Sequence, residues 1–101
     1  TEDASSGSTE ISVTASGESC ELSAVTAPAG SVVFTVKNTS DAESEFYLYQ
    51  SNGEDIVGEV EEIGPGLSRD LKTDLEAGTY VTACKADSGD EGIRAEFTVT
   101  K

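Results

Sequence analysis

The feature that most limits what this chain can fold into is a succession of short apolar alternations, each closed by glycine, proline or asparagine. Residues 31–37 are the cleanest case, with Val32, Phe34 and Val36 on one face and Val33 and Thr35 on the other. Residues 79–86 behave alike, placing Tyr80, Thr82 and Cys84 on one side and Val81 and Ala83 on the other. Further runs follow Ile11 and Val13, then Cys20, Leu22 and Val25, then Phe46 to Tyr49, then residues 67–75, then Ile93, Ala95, Phe97 and Val99. Residues 56–63 mix Val57, Val60 and Ile63 with Glu59, Glu61 and Glu62, a pattern open to a strand or a short helical turn. Gly17, Pro28, Gly30, Asn52, Gly53, Pro65 and Gly66 punctuate the runs. Seven to eight short strands at near-regular spacing predict an all-β Greek-key β-sandwich, with no helix of ordinary length required. The expected core is Val32, Phe34, Val36, Phe46, Leu48, Tyr80, Val81, Ile93, Phe97 and Val99.

The chain has 101 residues, enough for one domain with a single core. Residues 1–9 are rich in Ser, Gly and acid and read as a flexible tether, which leaves residues 10–101 for the sandwich. No signal peptide and no run approaching the roughly 20 apolar residues of a membrane span is present, so direct membrane insertion is not expected. The net charge is −14, and the six basic residues stand singly. No basic patch exists to neutralise phosphates, which excludes nucleic acid as a partner. Metal cations and basic protein surfaces are what such a field attracts, although the acid also serves simply to solvate the surface. There is no histidine, so imidazole catalysis is impossible and most hydrolase arrangements disappear; enzyme activity is not expected.

Two cysteines and several carboxylates hold what chemistry remains. Cys84 ends a strand and is followed by an acidic loop with Asp87, Asp90 and Glu91. Cys20 and Cys84 have three readings: a disulfide, a pair of soft thiolate ligands suited to copper, or small buried side chains. Carboxylate oxygens favour hard cations, but 20 acids in 101 residues place several near any point by chance. Asp87, Asp90 and Glu91 lack the spacing of a calcium loop. Asn38, Thr39 and Ser40 match a glycosylation tripeptide, a short pattern that often arises by chance.

Gly78, Thr79 and Tyr80, with Cys84 four residues after the tyrosine, resemble the cysteine-bearing strand of cupredoxins. In that family the cysteine is the thiolate ligand of blue copper, followed by a histidine and then a methionine. Here Asp87 stands three residues after Cys84, Gly92 stands where the methionine would be, and Glu45 takes the place of the upstream histidine. The departure makes the chain similar to the cupredoxin-like domain of the EfeO/EfeM family of extracytoplasmic bacterial iron-uptake components. Supporting landmarks are Cys20 and Glu21, the turn at Pro28 and Gly30, residues 34–40, Glu45, Glu59, Glu61, and residues 63–68. Family members commonly carry proline two residues after the first cysteine, whereas this chain has Leu22.

The resemblance implies a cupredoxin-type sandwich that binds or passes on Fe³⁺ or Cu²⁺ outside the cytoplasm and is not a blue-copper electron carrier. The implied metal residues are Cys20, Glu45, Cys84, Asp87, Glu59 and Glu61, with Cys20 and Cys84 alternatively a disulfide. It further implies an iron permease or peroxidase of the same system as partner, a periplasmic or cell-envelope location with a lipid anchor ahead of the tether, and a helical second domain elsewhere in such proteins. The competing class is an Ig-like structural or adhesion module in which a Cys20–Cys84 disulfide is a staple.

Overall fold

The structure, a computed structural model, describes residues 8–85 and 92–101. Among these residues the chain forms nine strands: β1 (Thr9–Ala15), β2 (Cys20–Leu22), β3 (Thr26–Pro28), β4 (Gly30–Asn38), β5 (Ser44–Gln50), β6 (Ile56–Ile63), β7 (Ser68–Leu75), β8 (Gly78–Lys85) and β9 (Ile93–Thr100). The count exceeds the expected seven to eight because Cys20–Leu22 and Thr26–Pro28 each pair as separate three-residue strands. In sequence this region shows as one run through Cys20, Leu22 and Val25, because three residues apiece carry too little alternation to separate two strands. Residues 56–63 are a strand, which settles the ambiguity left by their mixed pattern. β1 begins at Thr9, one residue ahead of the expected domain start.

Two sheets pack face to face, one of four strands in the order β2-β1-β4-β7 and one of five in the order β3-β9-β8-β5-β6. Most pairs are antiparallel, but β1 with β4 and β3 with β9 are parallel. Between the sheets lie Phe34, Phe46 and Phe97, with ring centroids 5.4 Å apart for Phe34–Phe46 and 5.2 Å for Phe34–Phe97. Val32, Val36, Leu48, Tyr80 and Val99 complete the expected core, joined by Ile11, Val13, Ile63, Leu71 and Leu75.

Two expected core residues are placed otherwise. Val81 lies on the outer face of the five-stranded sheet, against Tyr47, Tyr49 and Ala83. Its parity on β8 is opposite to that of Tyr80 and Cys84, so both faces of the strand are covered, by different neighbours. Ile93 is 38% exposed at the first residue of β9, where the sandwich opens at its pole.

The β5–β6 pairing contains two register shifts, and one of them shapes the candidate site. Ser44 pairs with Ile63 while Phe46 pairs with Val60, so β6 carries one extra residue there. Glu62 has φ 59°, the left-handed conformation of a bulge. The bulge resets the alternation: Glu59 and Glu61 point outward, yet Ile63 of the same parity turns inward and is fully buried.

Asn38, at the end of β4, is the buried polar pin of this end of the molecule. Its Nδ2 donates to the Ala42 carbonyl at 2.6 Å and to the Ile63 carbonyl at 2.8 Å. Its Oδ1 accepts from the Ser40 backbone N–H at 2.8 Å and from the Ser40 hydroxyl at 2.6 Å. This side chain is sequestered and fully engaged, so the Asn38 tripeptide offers no free amide to carbohydrate in the folded protein.

Candidate functional site

The pole where β1, β4, β5 and β8 end or begin carries the features of chemical interest. Cys20 and Cys84 form a disulfide with their Cα atoms 5.7 Å apart. It ties β2, at the edge of the four-stranded sheet, to β8, inside the five-stranded one, and so crosses the sandwich. The sulfurs are therefore not thiolate ligands in this state, and among the described residues no cysteine is free.

Glu45, Glu59 and Glu61 come together, but on the outer face of β5 and β6 and around a residue the sequence reading did not single out. Tyr47 pairs with Glu59 across the ladder and shares a face with Glu45 two residues before it. Its hydroxyl donates to Glu61 Oε2 at 2.7 Å and lies 3.1 Å from Glu45 Oε1. Desolvation, then hydrogen bonds to Glu61 and Glu45, then the charges of both, push the Tyr47 phenol well above its ordinary range. Lys85 Nζ sits 4.4 Å from the centroid of the Tyr47 ring and 5.3 Å from that of Tyr49, whose rings stack 5.8 Å apart.

Glu59 is raised above the ordinary carboxylate value. Desolvation is the largest cause, followed by the charge of Glu61, a hydrogen bond to Glu61 and the charge of Glu45, with Lys85 opposing them. A carboxyl with a raised folded pKa binds its proton more tightly in the native state than in the unfolded one. Glu59 therefore contributes no penalty below the ordinary value, and stability falls as pH climbs from that value through the raised one. Acidifying from pH 7 toward about pH 5 should raise the urea midpoint, and Glu59→Gln should gain less over the same range. Identical pH responses in the two proteins would remove Glu59 as the cause.

Asp87 falls outside the described residues. Among those described, no group of three cysteine and carboxylate side chains is gathered so as to hold a metal ion. Glu45 and Glu61 meet instead at the Tyr47 hydroxyl, with Glu59 hydrogen-bonded to Glu61 beside them, on the opposite side of β5 from the disulfide. Period-two alternation already placed Glu45 and Tyr47 on one face. The same alternation puts Glu59 and Glu61 on one face of β6, but the Tyr47–Glu59 register and the Glu62 bulge that turns Ile63 inward have no such local signal.

Blue-copper ligation does not fit this pole. Such a site needs two imidazoles and a thiolate, and the chain has no histidine while Cys84 is bonded to Cys20. Gly92 stands at the position suggested for the methionine and could not be replaced by one without rearrangement. A Cβ there would lie 2.5 Å from the Cys84 carbonyl oxygen, and its φ is +79°.

The family profile of the cupredoxin-like domain matches residues 1–99. The chain belongs to that family. Among curated relatives of this cupredoxin-like domain, the iron uptake system component EfeO of Yersinia pestis is 33% identical over 91 residues, covering 90% of this chain and 23% of that protein. EfeO of Escherichia coli K12 is 31% identical over 75 residues, covering 74% and 20%. The chain thus spans less than a quarter of the length of these relatives. In fold it is similar to dithionite-reduced auracyanin from Roseiflexus castenholzii, with TM-score 0.66, 19% identity, and 93% and 97% of the two chains covered. An azurin from Methylomonas sp. strain J gives TM-score 0.69 at 12% identity, covering 92% and 98%. At such identities these two likenesses speak for the cupredoxin fold alone.

Proposed function

We propose that this domain serves bacterial iron uptake outside the cytoplasm, by drawing a hard cation for transfer to the Glu45 and Glu61 carboxylates that meet at the Tyr47 hydroxyl, with Glu59 joining them only once the cation is bound, since the three are not preassembled as a metal site. Iron is the cargo in this reading, and Fe³⁺ is the form best suited to carboxylate and phenol oxygens. The observation that carries it is the meeting of the Glu45 and Glu61 carboxylates at one tyrosine oxygen, with Glu59 beside them raised by desolvation and then by the charges of Glu61 and Glu45. A cation there would relieve that repulsion, and the chain's relatives are iron uptake components. The disulfide is consistent with an oxidising compartment. A permease or peroxidase of the same system would be the natural recipient or source of the ion.

Titration with ferric nitrilotriacetate tests the reading. Glu45→Gln with Glu61→Gln should weaken Fe³⁺ binding by about tenfold or more, since each lost charge removes around 1 kcal/mol of attraction even at water-like dielectric. Neutralising Glu10 and Glu21, exposed on the other sheet, changes net charge equally and should have little effect beyond a screening length of about 10 Å at 0.1 M salt. Tyr47→Phe should abolish any visible phenolate-to-iron band. Equal losses from the two glutamate pairs would reduce the interaction to diffuse counter-ion attraction.

A further inference from the structure

A cavity of about 300 Å³ opens at the pole, on the disulfide side of β5. Its walls include Ala15, Ala42, Ile93 and Cys84, its rim carries Asp41 and Glu43, and Ser44 lines it from the start of β5. Ser44 is only 5% exposed, and its hydroxyl makes no hydrogen bond to any described group. A buried hydroxyl without a partner is costly to the fold unless something satisfies it. Asp41 and Glu43 are exposed and have no ion-pair partner among the described residues. Lys85 contributes to the lining, but its ammonium is drawn to the Tyr47 and Tyr49 rings on the opposite face of the sheet. The cavity is thus apolar in its walls, anionic at its mouth, and holds one hydroxyl without a partner among the described residues.

We propose that this cavity is a socket for a single arginine side chain presented by a basic partner protein. The size admits one side chain and no secondary-structure element, since a helix is about 10–12 Å across. An arginine stem suits apolar walls, while its guanidinium carries enough donors to serve Ser44, Asp41 and Glu43 together. A bare metal ion is a poor occupant, because no three cysteine and carboxylate side chains gather there among the described residues. The net charge of −14 steers a basic partner toward the protein, and the socket supplies the position at which it docks. This docking does not require the metal site, so the two readings stand or fall separately.

The test uses the whole chain, metal-free in the presence of a chelator, at physiological salt. N-acetylarginine methylamide is titrated and followed by amide ¹H–¹⁵N NMR, with the citrulline analogue as an uncharged isostere. Saturable shifts are expected at Ala42, Ser44, Gly92 and Ile93, and none with citrulline. Asp41→Asn with Glu43→Gln should weaken binding about tenfold, from two exposed charge contacts of up to about 1 kcal/mol each. Ser44→Ala should also weaken it while leaving the thermal midpoint unchanged or raised, which a merely structural serine would not do. Glu10→Gln with Glu21→Gln should leave binding as it was. Shifts spread evenly over the acidic surface, equal binding of citrulline, no saturable shift, or indifference to the Asp41 and Glu43 changes would each overturn the proposal.

Discussion

Replacing Cys20 and Cys84 together with alanine is expected to lower stability by about 4 kcal/mol, the chain-entropy value for a loop of this length. The cysteines are 64 residues apart, so the bridge restrains well over half the unfolded chain. In the native state it fastens a strand with little else to hold it. Among the described residues β2 pairs only with β1, through three residue pairs, and has no strand on its other side. Reduction should therefore loosen the β1–β2 hairpin first, which hydrogen exchange at residues 20–22 would detect as early loss of protection. The measurement is the free energy from urea unfolding of the oxidised protein against the double variant. A loss below about 1 kcal/mol would mean the bridge does not restrain the unfolded chain as the entropy model requires.

Asn38→Ala is expected to cost about 3 kcal/mol, unusually much for one neutral side chain. Four hydrogen bonds vanish, the Ile63 carbonyl loses its donor inside the packed interior, and the partly buried turn at Ser40 and Ala42 loses its anchor. These bonds set the loop between β4 and β5 against the end of β6, and that loop carries Asp41 and Glu43 to the rim of the pole cavity. Asn38→Asp is the informative companion. It keeps an acceptor for Ser40 but turns an oxygen toward two carbonyls, so it should be at least as damaging despite its near-identical shape. Should Asp be tolerated, the amide donors are not what holds the loop.

The assignment of residues to strands was legible wherever an alternation ran for five or more residues, as in β4, β8 and β9. Period-two spacing reports which face a side chain shares with its neighbours, and burial on one face enforces it. Its limits show at Val81, expected in the core with Tyr80 although its opposite parity sends it to the outer face, where it is only half-buried against Tyr47, Tyr49 and Ala83. They show again at Ile93, whose apolar character at a strand's first residue was mistaken for core. Asn38 stood out in sequence only as part of a glycosylation tripeptide, because polarity does not reveal a buried amide with all its bonds met.

The sequence by itself determined the all-β class, the apolar face of each long strand and the absence of imidazole chemistry. It also contained the two cysteines and the glutamates, because residue identity limits which chemistry is available. Only the tertiary structure decided which of these meet. The disulfide depends on two strands in different sheets ending at the same pole. The glutamate cluster depends on the register that sets Tyr47 opposite Glu59, while a single bulged residue, Glu62, lets Glu61 stay outward and still returns Ile63 to the core. Strand pairing is a contact between segments distant in sequence, and its energy comes from side chains on both partners at once. No local pattern contains that information, and so the chemistry available at the pole was written in the sequence while its arrangement was not.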